Sequence, residues 1–488
     1  MARDHPRRVL AGVLCGEWFT AGNLTEDENP VNASGALPRL PVASTRAYAA
    51  CDMATRRVLP VLDRLRDEAT TVTATGSGHQ FELQLGHLCN NRCVFCSSGQ
   101  LSEWKVARPI ALAPIIEALD KARASGARRI TFLGGEPTLH KGFHEAVAHA
   151  VALGFEEVII FTNGVMFPHP GFIERVVALG PRVEWRVSIQ GGNEAAHVAV
   201  TKRADSFQRI EVGLRALAAL QQRVTANLCV NEKSYRSLPD YPALVAEHGL
   251  QQLHVDIVRP SSTGERDDAY LRELMPRYTD MAPYFRAMLE AFEVEQPGFD
   301  VNVGNLPYCV VPEWADRVHH GGEETVTQAC DTEGLEAAVD KYEWHYSMRR
   351  HPAGCEGCVF REKCSGVYGE YLALHGEEEF RAVTEGELRA HRARRRAVKL
   401  ARALQGMGGF GGWSAEAVQD GAEETVLPLR ASGGERLDVV FLPPGAGGKT
   451  GAAVDFRLAD GATVEIARPV VARVVEALAQ RARTVPIA

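Results

Sequence analysis

Between residue 79 and about 262 the sequence alternates between two periodicities, and this restricts the fold more than any other feature. Runs suited to strands fall at 80–86, 128–134, 157–162, 183–190, 223–230 and 252–258, and helix-period stretches lie between them at 110–124, 141–153, 171–179, 206–221 and 239–248. Gly126 and Gly154 follow the first two helices, and Ser206 opens the fourth as a cap. Six such units in succession predict an α/β fold, because parallel strands need long crossovers and the helices supply them. Sheets of this kind put their chemistry at the carboxyl ends of the strands.

The residues with most chemistry fall at those ends. After the first strand comes Leu88-Cys89-Asn90-Asn91-Arg92-Cys93-Val94-Phe95-Cys96, with cysteines at the spacing C-x3-C-x2-C. Thiolates are the usual ligands of iron–sulfur clusters, and about four hold a cubane. Three packed this closely point to a cubane with one iron free to bind a small molecule. A zinc knot is the competing reading, but zinc sites pair two C-x2–4-C-like units, and no second pair lies nearby in the chain. The second strand runs into Gly134-Gly135-Glu136-Pro137, where glycines permit close backbone approach and a carboxylate can accept from an ammonium group. The third strand ends in Thr162-Asn163-Gly164, and the fourth in Val187-Ser188-Ile189-Gln190-Gly191.

The cysteine loop, with an aromatic residue before its last cysteine, resembles the signature of the radical SAM superfamily. The resemblance extends over residues 80–262. It implies a partial (β/α)6 barrel, a [4Fe–4S] cluster on Cys89, Cys93 and Cys96, and S-adenosylmethionine (SAM) chelated at the open iron. It further implies reductive cleavage to a 5′-deoxyadenosyl radical that abstracts hydrogen from a substrate, with a reductant such as flavodoxin or ferredoxin. By the same likeness Gly134, Gly135 and Glu136 contact the SAM amino group, and Asn163 and Ser188 belong to the SAM site. Gln190 stands where many relatives carry Asp, which leaves its part in ribose binding in doubt. Arg203, after His197 and Lys202, is a cation able to hold the SAM carboxylate, or else a solvated loop charge. Asn227 and Asn231 flank the end of the fifth strand, where either could face the ligand, and Cys229 between them reads as core.

A second cysteine group lies at Cys309, Cys330, Cys355, Cys358 and Cys364. Its C-x2-C-x5-C part resembles the SPASM extension of peptide-modifying radical SAM enzymes, with Tyr368 where the full motif has another cysteine. That departure implies the shorter twitch variant, with one auxiliary [4Fe–4S] cluster on Cys309, Cys355, Cys358 and Cys364 and with Cys330 as the substitute for Cys309. Zinc is again the alternative. The extension favours a peptide substrate, as in maturation of ribosomal natural products. GGEP followed by Thr138-Leu139 also looks like the molybdopterin-pathway member that acts on a nucleotide, so a small-molecule substrate stays open.

The flanks add less. Residues 1–78 read as an extension with a helix over 49–68, and Cys15 and Cys51 as small buried hydrophobes. The apolar stretch before Cys15 is short for a signal peptide, no run reaches the ~20 apolar residues of a spanning helix, and eleven cysteines in so long a chain point to metal in a reducing compartment. The expectation is a cytoplasmic protein. A helix from Glu385 to Leu404 is rich in arginine, but the net charge of −8 and the lack of interleaved aromatics argue against nucleic acid. A non-catalytic Fe–S or zinc protein that binds nucleic acid is the alternative from another class. The glycine-rich stretch 406–412 marks a boundary, and residues 413–488 form a small α+β accessory domain closing with a helix over 469–483. Within it 443–450 imitates a phosphate loop, but Pro443 stands where a glycine is required and a strand follows. The domains expected are thus 1–78, 79–298 for the barrel, 299–404 for the auxiliary region and 413–488.

Overall fold

The computed structural model describes residues 80–484, apart from 181–182, 261–266, 323, 332–333, 422–423 and 443–452. The expected helix over 49–68, Cys15, Cys51 and the loop 443–450 lie outside the described residues. All six expected strands form: β1 Gln80–Gln84, β2 Arg129–Leu133, β3 Glu157–Thr162, β4 Val183–Ser188, β5 Val224–Val230 and β6 Gln252–Ile257. They pair in parallel and in chain order.

The sheet does not stop where the barrel was expected to end. Past the helix Tyr278–Glu295, strand β7 (Asp300–Gly304) joins β6 in parallel, and β8 (Val318–His319) joins β7. On the other side β9 (Thr325–Gln328) runs parallel to β1, and β10 (Val339–Asp340) closes that edge antiparallel. The boundary at 298 therefore cuts through one ten-stranded sheet. Strand β7 alternates Val301 and Val303, both buried, with Asp300 and Asn302 on the other face. The signal is genuine but only five residues long.

One short helix shows that the sheet curls. In a flat sheet β1 and β6 would stand roughly 24 Å apart. Yet helix Lys341–Ser347 reaches both: Lys341 Nζ donates to Glu82 on β1 at 2.6 Å, and Arg259, just past β6, pairs with His345 Nε2 at 2.7 Å. Lys341 and His345 are one helical turn apart, about 6 Å. The sheet is thus an incomplete barrel with this helix across its inner face. The outer face is apolar: Ile130, Phe132, Val158, Ile160, Trp185 and Val187 are fully buried under the crossover helices.

The C-terminal module is an antiparallel sheet. It comprises Gly409–Phe410, Trp413–Ala415, Thr425–Ala431, Arg436–Leu442 and Ala453–Ala459, with Gln419–Asp420 off the path. Leu427, Leu429, Leu437 and Val439 are buried against Val470 and Val474 of the last helix. That helix begins at Val464, ahead of the expected Pro469, because Thr463 accepts the Ala467 and Ile466 amides through its carbonyl and hydroxyl.

Two boundaries also shift. Helix Glu385–Gln405 buries Ala397, Ala401 and Leu404 in this module's core, so it does not belong to the auxiliary region alone. Residues 409–410 are a strand with Phe410 buried, so 406–412 is not a free linker. Three arginines of the helix and its lysine are engaged. Arg395 reaches Glu293 at 2.9 Å and Asp316 at 2.6 Å and lies 3.7 Å over Trp314, while Arg394, Lys399 and Arg402 pair with Asp420, Glu293 and Glu290. No helix among the described residues is long and apolar enough to cross a membrane.

Candidate functional site

The cysteine loop is pinned from several sides by hydrogen bonds within the chain. Arg92 Nη1 donates to the Cys89 and Asn91 carbonyls at 2.7 and 2.8 Å, and the Arg92 and Val94 amides donate to Thr201 and Val200 at 2.9 and 3.0 Å. The Cys89 amide donates to Ser102 Oγ at 3.0 Å, and that hydroxyl donates to the His87 carbonyl at 2.9 Å. Cys96 then stands as N-cap of the helix Ser97–Glu103.

Gly134 and Gly135 press on this loop. A Cβ on Gly135 would come within 2.4 Å of the Leu88 carbonyl oxygen, and one on Gly134 within 2.6 Å of that of Gly86. The Gly135 and Glu136 amides donate to the Gly86 and Leu88 carbonyls at 2.7 and 2.8 Å. The glycines are therefore required by backbone packing against the cysteine loop.

Glu136 is buried and accepts four protein hydrogen bonds. They come from the Thr138 amide (3.1 Å), the Thr138 hydroxyl (2.5 Å), the Thr162 hydroxyl (2.7 Å) and the Asn163 amide (2.7 Å). A carboxylate has about four acceptor positions, so most of this group's capacity holds the ends of β2 and β3 together. Burial raises its pKa against the pull of those donors. Asn163 carries the link onward, donating through Nδ2 to Asn90 Oδ1 at 2.7 Å and toward Cys89 Sγ at 3.7 Å.

Ser188 ends β4 in register with Asn227. Gln190 is occupied, because its side-chain oxygen accepts the Cys229 amide at 3.0 Å, so it braces β4 against β5. His197 is buried; its Nδ1 accepts the Gln190 amide at 3.0 Å, and burial lowers its pKa to about 4. Arg203 donates to the Asn90 carbonyl at 3.3 Å and pairs with Asp205 at 2.7 Å, which sets its guanidinium beside the cysteine loop. The structure thus gathers Cys89, Cys93, Cys96, Gly135, Glu136, Asn163 and Arg203 around one loop.

The second group is equally local. Burial pushes the Cys309 thiol up to about 12, and Cys364, Cys355 and Cys358 lie near enough to add to the effect. Backbone amides point at these sulfurs: Gly366 donates to Cys364 and Val383 to Cys358, both at 3.4 Å. Cys330 stands elsewhere, which corrects its reading as a substitute for Cys309. It lies beside β1, where its amide donates to Gln84 Oε1 at 3.0 Å, its sulfur approaches the same oxygen at 3.4 Å, and its carbonyl accepts from His87 Nε2 at 2.8 Å. Tyr368 is fully buried, with Arg349 4.3 Å over its ring and bonded to its hydroxyl at 2.6 Å, so it is a packing residue.

The sulfur spacing bears on which metal each group fits. Tetrahedral zinc with Zn–S near 2.3 Å brings sulfurs to about 3.8 Å of one another. Among the described residues the one set of three metal-binding side chains whose ligand atoms all lie within 4.8 Å is Glu211, Glu247 and His248. Neither cysteine group is that tight. Amide N–H groups turned toward the sulfurs (Asn91 to Cys89 at 3.4 Å, besides those above) suit thiolate ligands, as a cluster or zinc would require. In both groups burial keeps thiols protonated, so a metal must displace those protons.

Sequence reasoning named Asn227 but missed the rest of the polar inner face. Glu82, Arg186, Asn227, His254, Asp256 and Asn302 alternate with buried apolar residues on their strands. Asp256 pairs with Arg259 at 2.5 Å and accepts from Asn305 at 2.6 Å; burial pushes its carboxyl up, but Arg259 and His254 outweigh that and hold it well below the usual range. Cys229, read as core, is on this face, close enough to Cys93 to help raise that thiol and close enough to Cys96 for Cys96 to help raise its own. The period-two alternation was the available signal.

Residues 83–232 match the Radical SAM superfamily. The PqqA peptide cyclase of Xanthomonas campestris pv. campestris (strain B100) is 28% identical over 209 residues, 41% of this chain and 51% of the relative. A probable GTP 3′,8-cyclase of Sulfurisphaera tokodaii is 24% identical over 192 residues, 39% of this chain and 59% of the relative. The chain thus spans little more than half the length of these curated relatives. Among solved structures, Streptococcus suis SuiB bound to the precursor peptide SuiA aligns with a TM-score of 0.45 at 12% identity, covering 74% of this chain and 84% of that one. With its cysteine loop at the end of β1 and the GGEP turn packed on it, the segment 83–232 is similar to the radical SAM superfamily, and the chain carries a C-terminal extension beyond the matched segment.

Proposed function

We propose that this chain is a peptide-modifying radical SAM enzyme with a [4Fe–4S] cluster on Cys89, Cys93 and Cys96 and one auxiliary cluster on Cys309, Cys355, Cys358 and Cys364. Cys89, Cys93 and Cys96 would hold the first cluster, which when bound and reduced would supply the one-electron chemistry that cleaves SAM and lets hydrogen be taken from a substrate. The observation that carries the reading is the joining of Gly135, Glu136 and Asn163 to the Cys89 loop by hydrogen bonds of 2.7 to 2.8 Å. Those contacts hold the three thiols and the SAM-facing turn as one preorganised unit.

The residues divide the work. Glu136 fixes Asn163, and Asn163 steers the loop at Cys89. Arg203, beside Asn90, supplies a cation for the SAM carboxylate, although Asp205 competes for it. Four cysteines on the auxiliary cluster leave no iron open, which favours electron transfer over substrate anchoring there. The electron donor is a flavodoxin- or ferredoxin-like reductant. The substrate class rests on the extension's cysteine spacing and on the likeness to a peptide cyclase. The match to a GTP cyclase supports a second reading, a nucleotide-like small molecule.

The test is anaerobic reconstitution, chemical reduction and incubation with SAM. Release of 5′-deoxyadenosine that is absent in Cys93→Ala is the expected result. A reconstituted, fully reduced protein that releases none refutes the proposal and leaves a binding protein.

A further inference from the structure

Among the described residues, Arg186 is a charge on the inner face of the barrel that no side chain pairs. Arg186 lies on β4, and its side chain points inward, between the buried outer-face residues Trp185 and Val187. The other charges around it are paired: Glu82 with Lys341 at 2.6 Å, Arg129 with Glu157 at 2.5 Å, Asp256 with Arg259 at 2.5 Å, and Glu184 with Arg223 at 3.4 Å. Among the described residues none forms a hydrogen bond or ion pair with Arg186, although Glu82 and Tyr342 lie near enough to act on its charge. The site is deep, yet the residue is not sealed from solvent.

A second group beside it is also unsatisfied. Asn227, on the neighbouring strand, is diagonal to Arg186, since Arg186 pairs in register with Thr225 and Ser188 with Asn227. Such diagonal positions stand roughly 8 Å apart. Asn227 is 8% exposed, and its Oδ1 is buried with no hydrogen-bond partner. A buried amide oxygen left without a partner is costly, and the half-buried guanidinium beside it, with no counter-charge of its own, is free to take a ligand. A guanidinium fork suits a carboxylate, which it can hold with two parallel hydrogen bonds.

We infer that Arg186 and Asn227 form a carboxylate subsite inside the barrel, and that the substrate presents an acidic side chain, aspartyl or glutamyl, to it. This rests on the peptide-modifying function proposed above and narrows the substrate class. Arg186 binds the carboxylate, and Asn227 takes an N–H from the same residue's backbone.

The probes are N-acetyl-glutamate methylamide and its glutamine counterpart, followed by saturation-transfer NMR on cluster-reconstituted, SAM-loaded protein. The glutamate probe should give at least fivefold the signal of the glutamine probe. That preference should vanish in Arg186→Gln and return in part in Arg186→Lys. Equal signals from the two probes on the unmutated protein, or a preference that survives in Arg186→Gln, overturn the inference. SAM affinity is measured alongside, and a tenfold loss in Arg186→Gln would assign the guanidinium to the SAM carboxylate and overturn it as well. If the unmutated protein cleaves SAM but shows no preference between probes, only this inference fails. If it releases no 5′-deoxyadenosine, the function itself fails.

Discussion

Replacing Glu136 by Gln tests whether this carboxylate works through its connections. Oε1 accepts three hydrogen bonds, from the Thr138 amide, the Thr138 hydroxyl and the Thr162 hydroxyl, and Oε2 accepts the Asn163 amide at 2.7 Å. A glutamine can keep the first three by placing its oxygen at the Oε1 position. Its NH2 then faces the Asn163 amide, donor against donor, at a buried site. An unsatisfied buried donor costs about 1–3 kcal/mol. At about 1.4 kcal/mol per factor of ten, the Asn163 amide should exchange hydrogen roughly 5- to 150-fold faster. Because Asn163 Nδ2 also donates to Asn90 Oδ1, the disturbance should pass to the cysteine loop. Hydrogen-exchange mass spectrometry on peptides covering 86–96 and 158–166 reads both ends of that path. Faster exchange confined to 158–166, with 86–96 unchanged, would show that Glu136 staples two strands and does nothing for the loop. No change at either would refute the accounting altogether.

Other consequences are separable. Cys93→Ala and Cys358→Ala should each lower iron from about eight to about four per chain, with SAM cleavage abolished only in the first. Cys330→Ala should leave iron content unchanged, since its sulfur lies against Gln84, and iron lost there would restore it to the ligand set. Gly135→Ala drives a Cβ to 2.4 Å from the Leu88 carbonyl oxygen, so the reconstituted protein should hold iron poorly at its first site while the second fills. His197 has its pKa lowered by burial to about 4, below its ordinary 6.5, so the unfolded chain binds the proton more readily between those values. Stability should therefore be full above pH 6.5 and fall as pH drops to 4, by up to about 3 kcal/mol for this group. Urea midpoints measured across that window give the slope, and His197→Asn, which keeps an acceptor for the Gln190 amide, should flatten it.

What could be read in advance followed from period and punctuation. Strands β1–β6 announced themselves by runs of Val, Ile and Phe between glycines, and the chemistry was expected at their ends, where the loop, Glu136 and Asn163 do meet. Strands β7–β10 went unread because they are two to five residues long and gain their stability from pairing with a sheet that already exists. The roles of Arg395 and Arg402 in helix Glu385–Gln405 were not legible because their acidic partners, Glu293 with Asp316 and Glu290, come from roughly a hundred residues earlier.

The inner face shows why a site of this kind resists sequence reading. Glu82, Arg186 and His254 are each an unremarkable polar residue on an alternating strand, and in an open sheet they would simply face water. Their meaning comes from curvature: Lys341 and His345, one turn apart, reach partners on β1 and just past β6 and so bring that face together. Once the face is curled together, a charge on it is partly withdrawn from water and gains from a counter-charge or a ligand. Glu82 and Asp256 have found theirs within the chain. Arg186 has not, and an arginine that satisfied only the fold would have been expected to pair with Glu82, whose carboxylate is instead held by Lys341 and Thr327 at 2.6 and 2.9 Å. The fold thus spends a lysine and a threonine on Glu82 and leaves the guanidinium free for a ligand, which Arg186→Gln tests directly.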